Sequence, residues 1–255
     1  MFVVRVQQMR LSYSSRFWLY APITLFLLIA VAVMVHWKFA ADAFEKKLAA
    51  LKGREAVPGI TLDWATVSVG GFPFRLDADF TQLSVHGAGA RGPFAWRSDK
   101  FALHTLSYAR SKIVYEASGH QHLDWVDGSG DRSADFLPGT FHAGSITDDK
   151  GLKRFDVDIV DVGSVGFTAA ELQLHLRRTP DGKSVDVMVK ADRVTGHKQV
   201  QAYVTLTKAG ELMPLLAGIA TWPDAVTAWH GHGGEVKLTK GVEPDIAARA
   251  LSALY

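Results

Sequence analysis

The sequence predicts a mainly β protein: a single N-terminal transmembrane helix followed by an antiparallel, curved β-sheet domain with a few packing helices. Three observations carry this. Residues Phe17 to Trp37 contain no formally charged side chain, and from residue 59 onward apolar residues recur with a period of two along most of the chain. Two short segments, 209–229 and 243–255, return to helical signals. The 255 residues, 48% hydrophobic and 21% charged, are enough for one sizeable core. The order along the chain is a basic tail (1–16), the transmembrane helix (17–37), a juxtamembrane helical stalk (38–57) and a β-rich domain (58–255).

At about 1.5 Å per residue, the 17–37 segment matches a hydrocarbon core roughly 30 Å thick. Phe17, Trp18 and Tyr20 at one end, and Trp37 and Phe39 at the other, sit where interfacial aromatic belts are expected. Pro22 falls in the first turns, where a helix tolerates it. Arg5, Arg10 and Arg16 precede the segment without an acidic residue, so the positive-inside rule places the N-terminus in the cytoplasm and residues after Trp37 outside, in a bacterial periplasm. A cleaved signal peptide competes, because "KFAADA" (38–43) offers small residues at cleavage spacing. The apolar run exceeds the roughly 7–15 residues of an ordinary signal core, and bulky residues crowd its far end, which favours an uncleaved anchor.

Subtracting those three arginines from the 28 basic residues leaves 25 against 26 acids. A near-neutral outer domain has no basic face for nucleic acid, so nucleic-acid binding is excluded. The chain has no cysteine, so no disulfide staples the domain; this is compatible with a periplasm without requiring it.

The stalk keeps helical spacing, with Phe44, Leu48 and Leu51 on one stripe that could face the bilayer or the domain, and Gly53 and Pro58 end it. Alternation then begins with Ile60, Leu62 and Trp64. It returns in Phe155, Val157 and Ile159, in Leu172, Leu174 and Leu176, in Val185 to Ala191, and in Val200 to Leu206. Strands with one wet face favour antiparallel over buried parallel sheet. "RTPDGKS" (178–184) supplies a hairpin turn, with proline presetting one dihedral and glycine taking the positive one. "LMPLLAGIATW" (212–222), the Pro223 helix start and "EPDIAARALSALY" (243–255) are expected to pack as helices on the sheet's apolar face, unless lipid does so instead.

The most individual stretch is "SVGGFPFRLDADF" (68–80). Gly70 and Gly71 let the chain bend, and Pro73 removes a ladder donor and so belongs at an edge or bulge. Alternation places Phe72, Phe74, Leu76, Ala78 and Phe80 on one face, and Arg75, Asp77 and Asp79 on the other. Gly70, Gly71, Phe72, Pro73, Phe74 and Arg75 are therefore read as a structural corner that could also line a groove. Phe74→Ala is expected to cost about 3–5 kcal/mol, as buried aromatic truncations do.

With the anchor and the short helix before it, "VSVGGFPFRLDADFTQLSV" (67–85) resembles a bacterial domain-of-unknown-function family, number 2125 in that series, marked by a VGGFPFR-type segment and an alternating strand. The resemblance implies an inner-membrane-anchored periplasmic domain without an established reaction. Cysteines associated with relatives are absent here. The pattern is also similar to other anchored envelope proteins with lipid-facing sheets, an analogy of fold alone.

Catalytic signals are missing. His120 and His122, and His230 and His232, have a spacing that puts each pair on one strand face, but neither pair joins a recognisable zinc pattern, and exposed histidines explain them. "GSG" and "GSVG" lack nucleophile-elbow spacing, "HGG" (232–234) is a glycine turn, and Asp156 and Asp158 alternate with core residues as a wet strand face does. No phosphate loop occurs; "HGAGARG" (86–92) is a connection between strands. The sequence thus points to a protein without cofactor, metal or catalytic residues. Its expected partners are the inner membrane and either a lipid-like amphiphile bound on the apolar face or a membrane protein for which the domain is an adaptor.

Overall fold

A computed structural model describes residues 15–89, 91–127 and 130–242. The segment 243–255, expected to be helical, and the tail arginines Arg5 and Arg10 lie outside the described residues.

Helix α1 (Ser15–Leu51) is continuous from the apolar segment through the stalk. Its first part stands clear of the rest of the chain, with Leu25, Phe26 and Leu28 all more than half exposed. It is long and apolar enough to cross a membrane, with a mean hydropathy of 2.1 in its most apolar stretch; a signal sequence meets the same criterion. From Trp37 onward the helix changes neighbours. Ala40, Ala41 and Leu48 become buried, and Phe44, Leu48 and Leu51 pack against Trp64, Ala78 and Phe80. The stalk's apolar stripe therefore faces the domain. The helix stops at Leu51, six residues short of the expected end at residue 57, because Arg54–Val57 (β1) pairs with the next strand instead.

The domain is one open antiparallel sheet of 13 strands, with 56% of residues in strand. After β1 come β2 (Ile60–Asp63), β3 (Thr66–Gly70), β4 (Arg75–Gly89), β5 (Gly92–Leu106), β6 (Lys112–Asp127), β7 (Gly130–Phe136), β8 (Thr140–Asp148) and β9 (Gly151–Ser164). The last four are β10 (Phe167–Arg178), β11 (Val185–Asp192), β12 (Gln199–Leu206) and β13 (Val236–Val242). Neighbours follow chain order, except that β3 caps one end of β4 and β7 caps one end of β6. The "RTPDGKS" stretch forms the expected hairpin turn between β10 and β11, with Gly182 at φ +70°.

Two devices bend the sheet. Its strands carry the ordinary right-handed twist, and a crease crosses three of them. Gln82 on β4 (φ +50°) and Asp99 on β5 both fall outside the ladder, and Gly119 on β6 has φ +76°. Asp99 holds the crease together by accepting from the Gln82 amide (3.1 Å) and from the His120 backbone N–H (2.9 Å). The His120 bond, then the Gln82 bond, keeps its carboxyl below the usual range. A Cβ at Gly119 would come within 2.8 Å of the Asp99 Cβ, so the close approach requires glycine there. Gln82 and Asp99 face each other with the β4–β5 register unshifted, while Asp99 alone faces both Gly119 and His120 of β6, a bulge of the kind that sharpens local twist and bend.

Between β12 and β13, a 3₁₀ turn (Ala209–Leu212) leads into α2 (Met213–Leu216) and α3 (Trp222–Gly231). Helix α3 is capped by Thr221, whose hydroxyl accepts from the Asp224 N–H, and Pro223 stands in its first turn, as the sequence suggested. Both helices cover the sheet's apolar side, and α3 touches β4 as well as sharing an apolar cluster with Leu206 and Val236 of β12 and β13. Because β4 and β12 are far apart in the sheet order, a flat sheet could not meet α3 twice; the sheet is curled around the helices.

Candidate functional site

The ladder register brings the apolar side of every long strand onto the concave face. One rung reads Ala78, Leu103, Tyr115, Ala143, Val157, Leu174, Val189, Ala202, each beside the next across eight strands. The neighbouring rung on the other face reads Asp79, Ala102, Glu116, His142, Asp158, Gln173, Lys190, Gln201. A sheet with such unlike faces is stable only if something covers the apolar one.

The cover is incomplete. Ala78 and Ala202 at the two ends of the apolar rung are fully buried, while the six residues between them are only half-buried. Helix α1 covers β3 and β4, and α2 with α3 covers β10 to β13. Between these covers the concave face is a trough floored by Trp96, Phe101, Leu123, Phe141 and Phe155, all half-buried. Its aromatic floor is continuous: Trp96 lies 5.8 Å from Phe101 and 5.9 Å from Phe141, and Phe101 stacks on Tyr115 at 6.0 Å.

Two cavities open under α2 and α3. One, about 300 Å³, is lined only by apolar side chains, including Leu174, Val187, Val204, Leu215 and Trp229. The other, about 470 Å³, lies between Ile60, Phe94, Trp125, Leu215 and Trp222. Trp229 brings no unsatisfied donor into the first, since its indole N–H donates to the Thr207 carbonyl at 2.6 Å. An apolar cavity of about 150 Å³ already stays dry and accepts a small hydrocarbon. Polar groups on the concave face are few and mostly engaged. The Tyr115 hydroxyl pairs with Ser145 at 3.0 Å, and burial pushes its pKa up. The fully buried Gln121 amide donates to the Ser118 and Gly119 carbonyls.

The glycine-phenylalanine corner is not part of this floor. β3 ends at Gly70 and β4 begins only at Arg75, so residues 71–74 form a turn, and the Phe72–Pro73 peptide is cis. Phe72 is 52% and Phe74 58% exposed, which corrects the expectation that both fill the buried face. Alternation governs side chains inside a pleated strand, and these two precede it. Leu76, Ala78 and Phe80, inside β4, are buried as expected. The expected cost of truncating Phe74 falls accordingly.

Each remaining corner residue has a definite place. Gly71 sits at φ +97°, and a Cβ there would meet the Arg75 backbone at 2.8 Å. The Arg75 N–H closes the turn on the Gly71 carbonyl (2.8 Å), and the Arg75 carbonyl accepts the Trp37 indole N–H (2.8 Å). The Arg75 guanidinium pairs with Asp77, which also bonds His104. The corner is thus a clamp between the sheet and α1.

The wet face carries histidine–carboxylate pairs, of which only the nearness of Asp124 to His122 is visible in the sequence. His122 is held by Asp135 (2.5 Å) and Asp124 (2.8 Å), and those bonds, Asp135 first, raise its pKa. His175 and Arg154 both bond Asp156; burial would raise that carboxyl, but the two donors outweigh it and lower it. Asp156 and Asp158 therefore share the wet face, as expected. His120 sits at the crease rather than in a regular strand, and His230 and His232 lie at the C-terminal end of α3, so neither pair shares a strand face as its spacing suggested. Among the described residues no group of three or more histidine, cysteine or carboxylate side chains is placed to hold a metal ion.

Residues 37–248, the whole sheet with its covering helices, match the model of a family described as an uncharacterized protein conserved in bacteria (DUF2125). No curated protein and no solved structure matches the chain.

Proposed function

The chain belongs to that bacterial family of uncharacterized proteins, and from this premise we propose that it is a non-enzymatic, membrane-anchored protein that holds the acyl chain of a lipid or a similar amphiphile in its concave groove. In this reading α1 is an uncleaved anchor in the inner membrane, the sheet stands in the periplasm, and the protein serves envelope maintenance.

The observation that carries the reading is the exclusively apolar cavity of about 300 Å³ beside a half-covered apolar trough, Leu176 of the cavity wall pairing across the ladder with Phe155 of the trough floor. Ligand pockets are mostly apolar with few polar groups, and this volume is at the lower end of their usual range. A chain of methylene groups gains about 0.8 kcal/mol per group buried, and nothing on the trough floor selects a particular head group. Helices α2 and α3 belong to no strand ladder; they rest on the sheet through apolar side chains and through the Leu216–Ala217 backbone, which lies directly against Gly151 of β9.

Native mass spectrometry of the full chain released from mild detergent tests this. The expected result is a population carrying one or more lipid-sized adducts that survive activation after the micelle is stripped. An adduct-free chain that instead co-purifies with a stoichiometric membrane protein would replace the lipid reading with the adaptor one.

A further inference from the structure

We infer that the Phe72–Phe74 turn and the adjoining loop at Tyr108 form a second, peripheral membrane contact that seats this end of the sheet in the bilayer interface beside α1. The inference rests on the reading of α1 as an uncleaved membrane span and adds to it where the sheet itself meets lipid.

Position along α1 sets the depth. The uncharged run from Phe17 to Trp37 is as long as a hydrocarbon core is thick, so Trp37 lies at its outer boundary. There the helix also changes partners, from exposed apolar side chains before it to buried Ala40 and Ala41 after it. The Phe72 ring meets Trp37 edge to face, with centroids 5.5 Å apart, so the turn shares that depth. Ser107 ties the second loop to the first, donating to the Phe74 carbonyl from both its N–H (2.9 Å) and its hydroxyl (3.1 Å).

These two loops and the adjacent helix turn hold Phe39 (72% exposed), Phe72 (52%), Phe74 (58%) and Tyr108 (70%). Phe72, Phe74 and Tyr108 exposed on joined loops at a strand end, with Phe39 exposed on α1 two residues beyond Trp37, are costly in water and favoured at a membrane interface, where aromatic rings concentrate. Their surroundings fit the head-group layer. Arg75, Arg110 and Lys112 are exposed on the same loops and strand ends, and basic side chains next to a bilayer gain from anionic lipids. Val165, fully exposed in the turn at the opposite end of β9, is followed by a single exposed aromatic, Phe167 (38%), in place of such a group.

The absence of cysteine makes the test direct. Single-cysteine variants Phe74→Cys, Ser111→Cys and Val165→Cys of the full chain are labelled with an environment-sensitive fluorophore and reconstituted in phosphatidylethanolamine–phosphatidylglycerol vesicles. Ser111→Cys leaves all four aromatic residues in place. The expected result is blue-shifted emission at positions 74 and 111, with loss of emission when shallow spin-labelled lipid is included, and neither effect at 165. Emission at 74 and 111 matching that at 165, in a chain that resists carbonate extraction, would overturn this inference and leave the anchor standing. Release of the chain by carbonate would overturn the anchor and this inference together.

Discussion

Truncating Phe80 and Phe74 to alanine separates the core of the sheet from its corner. Phe80 is 6% exposed and packs edge to face on Trp64 at 5.1 Å, within a cluster that includes Leu48 of α1. Its loss leaves a cavity with rigid walls, so Phe80→Ala should cost about 3–5 kcal/mol, including about 0.5–1.5 kcal/mol for the aromatic pair. Phe74, 58% exposed, leaves no cavity. With about 200 Å² for a fully buried ring, roughly two-fifths of it at about 25 cal/mol per Å² gives about 2 kcal/mol as an upper bound. Guanidinium unfolding of the full chain in mild detergent, followed by the strand signal in circular dichroism, measures both. The predicted gap of about 1–3 kcal/mol is a factor of about 5 to 150 in the folding equilibrium. Equal midpoint shifts, or a larger one for Phe74→Ala, would refute the assignment of Phe74 to an exposed turn.

The same corner predicts unequal glycines. Gly71→Ala should cost about 1–3 kcal/mol through its positive φ and backbone contact, while Gly70→Ala, with open space around it, should stay within about 0.5 kcal/mol; matching melting temperatures would contradict this. On the wet face, Asp135→Asn should lower the pKa of His122, read from its imidazole resonances. Because the folded value is raised, the bond stabilises below the unfolded pKa of about 6.5 and that contribution fades as pH rises through the folded value. At this exposed site it is worth less than about 1 kcal/mol, and an unchanged titration would show that Asp135 does not hold the ring. For topology, an alkaline phosphatase fused after the C-terminus should be active, as it is only outside the cytoplasm; an inactive but stable fusion would reverse the proposed orientation.

Period-two alternation made the later strands legible because β9 to β12 run long stretches without an extra residue, so Leu172, Leu174 and Leu176 or Val185, Val187 and Val189 keep parity throughout. β4 and β5 were harder to read. In β4 the buried side moves from Leu76, Ala78 and Phe80 to Leu83 at Gln82, and in β5 the concave side moves from Trp96 and Ser98 to Phe101 and Leu103 at Asp99. Gln82 and Asp99, opposite each other and both outside the ladder, reverse the parity of their strands, so a single period cannot be followed through. β1 escaped notice because its residues are mostly exposed and carry no apolar rhythm. Phe72 and Phe74 misled for the opposite reason: their spacing continues that of Leu76 although the pleat starts only at Arg75.

The candidate groove was legible as an apolar face but not as an opening. Every strand declares its wet side, yet whether α2 and α3 fill the concavity depends on a curl set by Gln82, Asp99 and Gly119 acting together across three strands. No local pattern encodes that sum. Likewise Asp135 on β7 reaches His122 only through strand pairing, whereas Asp124 stands two residues along β6 on the same face.

Photo-crosslinking in native membranes tests the central claim most directly. Benzophenone side chains at Leu123 and Leu174, on the concave face, are compared with one at Tyr203, which lies on the opposite face of β12. The account predicts lipid adducts from positions 123 and 174 and none from 203. Equal lipid capture from both faces, or capture of protein alone at 123 and 174, would contradict an acyl-binding groove.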